Sequence, residues 1–518
     1  MPRMNNRPGV VELTSLGGLL TLFVGAAAAA TSPTAPPPPA PGFHFANVQQ
    51  TAAAIARKPY QKPIQTIPPE LLKLTYSQYR AIRYRPSKAL WRKQKLPFEV
   101  QFFHPGFYYN RSVQINVISK GVSSPVPFSI SLFHYGKDTA LGPVPNNVGF
   151  AGFRIHYRIN TPRYFDEIAA FLGASYFRAV PRAGLYGLSA RGVAVDTALP
   201  QGEEFPSFRE FWLREPKPHA KSLVLYALLD SKSLTGAYRF RITPGRDTIM
   251  DVRATLYLRK TVALLGIAPL TSMFFHGTDT RRCFNDFRPQ VHDSDGLLVH
   301  SATGEWVWRP LVNPRKLIVS AFSFNGVDGF GLLQRDRNFD HYQDLEARYD
   351  LRPSLWIHPK GNWGAGKIDL VEIPTVDEKH DNIVAFWVPH QPATKGSALS
   401  FAYTLTWFLH SGHRPPGGYV QATRLVKAKA AHVVKIIVDF SGKQLRALPA
   451  KSPVSAMVSV ASPGSLVNEQ IEKNVVTGGW RVVFRVHTVP HRPVELRCFL
   501  ETTPKNVLTE TWSYLLTP

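Results

Sequence analysis

Sulfur is scarce in this 518-residue chain, which has two cysteines and five methionines. Cys283 and Cys498 lie far apart, and the sequence places them in different domains. They build no disulfide framework and supply no thiolate metal site, so stability has to come from a large apolar core. Acidic residues are also few: 36 Asp and Glu stand against 61 Lys and Arg, a formal charge of +25. The basic residues are spread along the chain without blocks or a nucleic-acid motif. No nucleic-acid partner is therefore expected, and the charge suits an anionic polymer or a membrane face. Nucleophile-elbow, P-loop and dinucleotide-binding patterns are absent, so no cofactor is expected. No apolar run reaches the ~20 residues that a spanning helix needs.

The N-terminus carries an export pattern. Arg3 and Arg7 precede LGGLLTLFVGAAAAA (16–30), an apolar run that ends in small residues. That order is expected of a secretory signal over 1–30, and the lack of an adjacent arginine pair favours the general secretory route. A proline-rich leader, 31–42, follows and is expected to be extended. Helical spacing marks 45–58, and 63–82 offers a second short helix with Pro68 and Pro69 at its start. From Phe98 onward, short β-branched and aromatic runs bounded by turn residues dominate, as in KSLVLYALLD, GAYRFRIT and TIMDVRATLYL. The expectation is a mostly β protein. A large sandwich spans 43–409, HSGHRPPGGY (410–419) links, and a small immunoglobulin-like sandwich spans 420–518.

Two acidic stretches stand out on so basic a chain. VEIPTVDEKHDNIVAFW (371–387) holds Asp377, Glu378, His380 and Asp381 between two strand patterns. PQVHDSDG (289–296) sets His292 on the opposite side from Asp293, with Asp295 beyond. Acidic turns alone account for such clusters. Two carboxylates facing each other across a cleft would instead suit glycoside hydrolysis, one protonating the leaving oxygen and one handling water. No metal is expected, because no second histidine-rich or cysteine segment completes a ligand set. In GEWVWRP, Trp306 and Trp308 share a strand face, as core residues or as platforms for sugar rings. GASYFRA and YGLSARG set Arg178 and Arg191 beside small residues, in structural or ligand-facing roles.

Many longer segments, among them DEIAAFLGASYFRAV, YGLSARGVAVDTALPQGEEFPSFREFW, VHDSDGLL, GEWVWRPLVNP, YDLRPSLW and DNIVAFW, together resemble the OpgG/OpgD (MdoG/MdoD) family, most closely its OpgG branch. The resemblance implies a periplasmic protein of osmoregulated glucan biosynthesis, with a galactose-mutarotase-like β-sandwich followed by an immunoglobulin-like domain. It also implies a role with linear β-1,2-glucan, as an inverting glucanase or as a non-catalytic glucan-handling factor beside the inner-membrane glucosyltransferase. Carried over by motif, Asp381 is the general acid and Asp293 the base. Glu378, Tyr176, Arg191, Tyr349 and Arg352, with Trp306 and Trp308, are the candidate sugar-binding residues.

Overall fold

The computed structural model describes residues 42–64, 66–136, 144–280, 285–410, 413–502 and 506–517. The expected signal, nearly all of the proline-rich leader and Cys283 lie outside the described residues. Alternating apolar residues dictate the architecture. Along Leu234–Thr243 and Thr248–Leu258, paired antiparallel, Tyr238, Phe240, Met250 and Val252 turn to one side and are buried. Arg239, Arg241 and Arg253 fall on the other, because successive strand side chains alternate.

Two sheets close over the main core. One has ten strands, with Phe98–Phe103, Gly152–Tyr157, Asp166–Leu172, Tyr176–Ala179, Ser189–Arg191, Leu265–Ser272 and Ile383–Pro389 in spatial order, then Gly366–Glu372 and Ile318–Phe324 at the far edge. The other has fifteen and contains Gly296–Ser301, Trp306–Pro310, Ser354–Pro359, Ala398–Phe408 and the strands from Ser207 to Leu258. Aromatic rings lock the two together. Phe240 of the larger sheet meets Phe171 and Phe177 of the smaller edge-on, with centroids 5.2 and 5.1 Å apart. Each such contact is worth about 0.5–1.5 kcal/mol beyond the area it buries.

Helices are few and peripheral. Phe45–Ala56 lies on the outer face of the larger sheet, with Val48 and Ala52 packed near Trp212, Tyr226 and Ala237. The helix expected over 63–82 is two, Pro69–Leu72 and Tyr76–Ala81. Thr75 accounts for the break: its hydroxyl accepts from the Gln78 amide and starts a new helix.

The last hundred residues, with Leu298, Trp308, Leu333, Trp356 and Phe408, form a second apolar cluster. A four-stranded sheet (Tyr419–Lys427, Val433–Ser441, Trp480–His487, Ser465–Lys473) contributes Ile436, Val438, Trp480 and Phe484. The strands Val454–Val460, Val494–Thr502 and Thr511–Leu516 supply Leu496, Cys498 and Trp512. These three strands continue the fifteen-stranded sheet, because Thr511–Leu516 runs parallel to Trp306–Pro310 with Trp308 opposite Trp512.

Candidate active site

The two acidic stretches meet at one dipeptide. The Asp293 backbone N–H donates to the Met273 carbonyl (2.8 Å). Next along, Phe274 is clamped by the buried side chain of Asn382. The Phe274 N–H donates to Asn382 Oδ1 (2.8 Å), and Asn382 Nδ2 donates to the carbonyls of Phe274 and Ile373 (both 3.0 Å). Met273–Phe274 thus holds the chain at Asp293 and the chain beside Asp381. The strand Phe274–His276 also pairs with Val291–His292, which leads into Asp293.

The acidic residues of 371–387 then divide. Asp377 is a turn former: its Oδ1 accepts from the Lys379 amide (3.0 Å) and its side chain is half-buried. Glu378 is drawn away by Arg288, whose Nη1 and Nη2 both donate to it at 3.2 Å. Asp381 accepts no hydrogen bond among the described residues. It remains open to solvent, but protein crowds it on several sides. This crowding pushes its carboxyl above the usual range, opposed by the charges of Arg178, Arg352 and Arg191.

Asp293 is buried and accepts a hydrogen bond from Arg352 Nη1. Burial pushes its carboxyl up to about 6; Arg352 opposes the shift and the negative charge of Asp381 adds to it. The two carboxylates therefore feel each other's charge, while no direct hydrogen bond joins them. Arg352 is itself positioned. Its Nε donates to the Ala347 carbonyl (3.1 Å), and its guanidinium lies 4.4 Å from the Tyr349 ring centroid. Gly187 makes room for its stem, since a Cβ there would sit 2.9 Å from Arg352 Cβ.

His292 is structural. Its ring stacks on Phe274 (5.3 Å), with Nδ1 2.8 Å from Gln334 Oε1 and Nε2 3.1 Å from Gln290 Oε1. Burial lowers its pKa to about 4, so it is neutral at neutral pH. Asp295 turns the other way and accepts from the amides of Arg335 and Asp336. No group of three or more potential ligands fit for a metal occurs among the described residues.

On the facing strands, Tyr176 and Arg191 are register partners, with the guanidinium 5.5 Å from the tyrosine centroid. Glu203 holds Arg191 Nη1 at 2.6 Å and leaves its buried Nε and Nη2 without a hydrogen-bond partner among the described residues. Tyr176 also borders two adjoining cavities of about 260 and 210 Å³ that share Tyr109 and Leu172. The smaller is lined by Arg178 and Tyr186 as well. Arg178 carries no ion pair among the described residues, while its charge reaches both aspartates.

Asp293, Asp381, Arg352, Tyr349, Arg191 and Tyr176 are thus gathered, with Glu378 at the rim. Trp306 and Trp308 are elsewhere. Trp308 is buried beneath the Arg335 guanidinium (3.5 Å from its ring centroid), and Trp306 stacks with His300 (4.1 Å) and near Trp356 (5.8 Å). Tyr109, Tyr186 and Asn382 were not singled out from sequence. Asn382 follows Asp381 directly, and only its burial reveals its clamp.

Fold and site together define a β-sandwich protein in which two neighbouring carboxylates stand among arginines and tyrosines. The chain belongs to the family described as periplasmic glucan biosynthesis protein, MdoG, whose model matches residues 43–516. It is 48% identical over 486 residues to "Glucans biosynthesis protein G" of Ralstonia nicotianae, covering 92% of this chain and 96% of that one. A galactose mutarotase related enzyme from Lactobacillus acidophilus aligns with 46% of this chain and 96% of its own at 9% identity. Its TM-score of 0.20 is too low to carry the fold. No helix among the described residues is long and apolar enough to cross a membrane.

Proposed function

We propose that the protein cleaves linear β-1,2-glucan by inversion, with Asp381 as general acid and Asp293 as general base. The observation that carries this reading is the unequal treatment of two carboxylates within one cleft. Asp381 accepts no hydrogen bond among the described residues, and the protein crowding it raises its carboxyl above the usual range, the direction a general acid needs. Asp293, at about 6 and beside Arg352, is mostly ionised at neutral pH, as a base requires. The proton on Asp381 goes to the leaving glycosidic oxygen. Asp293 takes one from the water that attacks the anomeric carbon from the opposite face. Tyr176, Arg191, Tyr349 and Arg352 contact the sugars, and the orphaned N–H groups of Arg191 suit hydroxyl-rich ligands or water.

Incubating the protein with linear β-1,2-glucan tests the reading. Shorter chains whose new reducing ends start in the inverted anomeric form are expected; unchanged polymer would overturn it. A second reading, a binding factor beside the membrane glucosyltransferase, draws on the same wall of tyrosines and arginines, which serves capture without scission. The export reading adds that the mature protein starts after the alanine run. N-terminal sequencing of periplasmic material checks this, and a start at Met1 contradicts it.

A further inference from the structure

A larger groove, about 1050 Å³, opens beyond the cleft on the ten-stranded sheet. Arg80, Arg83, Arg85 and Arg154 line it with Tyr79, Phe103 and His134, and no carboxylate is among its lining residues. The guanidinium groups of Arg80 and Arg83 are exposed and make no hydrogen bond or ion pair among the described residues. Among the described residues the Arg85 guanidinium donates only through Nε, to the Phe133 carbonyl (2.9 Å), and Arg154 is engaged by Glu167 and Gln101. Arg154 has Glu167 as its counter-charge, but the positive charges of Arg80, Arg83 and Arg85 have none among the described residues and repel each other, and an incoming anion relieves that repulsion.

The groove adjoins the 210 Å³ cavity that holds Arg178, since Phe103 borders both. Gln101, Arg154, Ala170 and Arg178 are successive cross-strand partners, so they share one sheet face. Three strand steps separate Phe103 from Arg178, roughly 14 Å at ~4.8 Å per step. A polymer that passes Arg178, whose charge reaches both aspartates, can therefore extend to the groove.

We propose that this groove binds an oxyanion-bearing stretch of the same glucan chain whose cleavage is assigned to Asp293 and Asp381. The proposal rests on that reading of the cleft and adds a preference for anionic glucan. Unsubstituted glucan needs only hydroxyl and ring contacts, whereas two guanidiniums without a carboxylate partner among the described residues select for negative charge.

The test is calorimetric binding by the full mature protein of linear β-1,2-glucan and of its carboxymethylated form at matched length. Wild type should bind the charged polymer about tenfold more tightly at low salt, as expected of two or three exposed ion pairs, and the gap should narrow as salt rises. Arg80→Gln with Arg83→Gln should abolish the preference and shift affinity for unmodified glucan less than about twofold. The paired lysine variant should keep most of the preference, which separates lost charge from lost structure. Equal binding of both polymers by wild type, or a preference that survives the glutamine pair, overturns this proposal and leaves the cleft reading standing. Failure of wild type to bind either polymer overturns both.

Discussion

Two of the arginine–carboxylate pairs in this molecule have opposite consequences. At the seam between the large sheet and the C-terminal strands, Glu510 takes Nη1 and Nη2 of Arg335 at 2.6 and 2.9 Å and the Val420 amide at 2.7 Å. The Trp308 ring covers the guanidinium, and the Glu510 side chain is 0% exposed. Both oxygens of Glu510 are engaged. In the cleft, Asp293 accepts Arg352 through one oxygen, and a second acid, Asp381, stands nearby with no donor. A carboxylate with every acceptor engaged holds the fold together; one left partly unengaged beside a second acid is equipped to move protons.

The largest effect expected from breaking this contrast is in the cleft. Asp293→Asn should lower the glucan cleavage rate by roughly 100- to 10,000-fold, the usual cost of losing a general base, with little change in the fold. At the seam, Glu510→Gln should instead cost about 3–5 kcal/mol in urea unfolding, because Arg335 is left buried without its counter-charge. The folded fraction of that variant should still cleave at the wild-type rate. Asn382→Ala lies between the two. Leaving the Phe274 and Ile373 backbone groups without partners should cost about 1–3 kcal/mol. The rate should fall with it, in kcat more than in KM, because the clamp beside Asp381 is gone.

The smallest effect is a difference in the pH dependence of stability. Asp293 titrates near 6 in the folded chain, against about 3.9 unfolded. Folding therefore favours its protonated form. That contribution is fully present below about pH 4 and is lost as pH rises through about 6. Asp293→Asn, which resembles the protonated acid, should then gain about 1–3 kcal/mol relative to wild type between pH 4 and 7.5. Thermal melts across that range check the sign; a variant that loses ground as pH rises would contradict it. The same ionisation should place the acid limb of the wild-type rate profile near pH 6.

Much of this was legible in the sequence, for identifiable reasons. Strands such as Thr248–Leu258 and Trp480–His487 declare themselves by alternation, since one face of each is buried. Ser465–Lys473 carries a polar, mostly exposed pattern and gave no such signal. The two aspartates stood out as acids on a basic chain, but their separate roles rested on resemblance alone. Residue spacing cannot report that Met273–Phe274 joins two segments far apart in the chain. Trp306 and Trp308 illustrate the opposite limit. Alternation gave them a common strand face correctly, and it could not say that the face packs toward the C-terminal strands rather than the cleft.

The most direct test is Asp381→Asn, with cleavage and binding of linear β-1,2-glucan measured on the same preparation. The amide keeps the shape of the acid and can still contact a sugar hydroxyl, but it has no proton to give to the leaving oxygen. Cleavage should fall roughly 100- to 10,000-fold while the dissociation constant changes by only a few-fold. Cleavage at the wild-type rate, or loss of binding in step with cleavage, would contradict the assignment of Asp381 as the general acid.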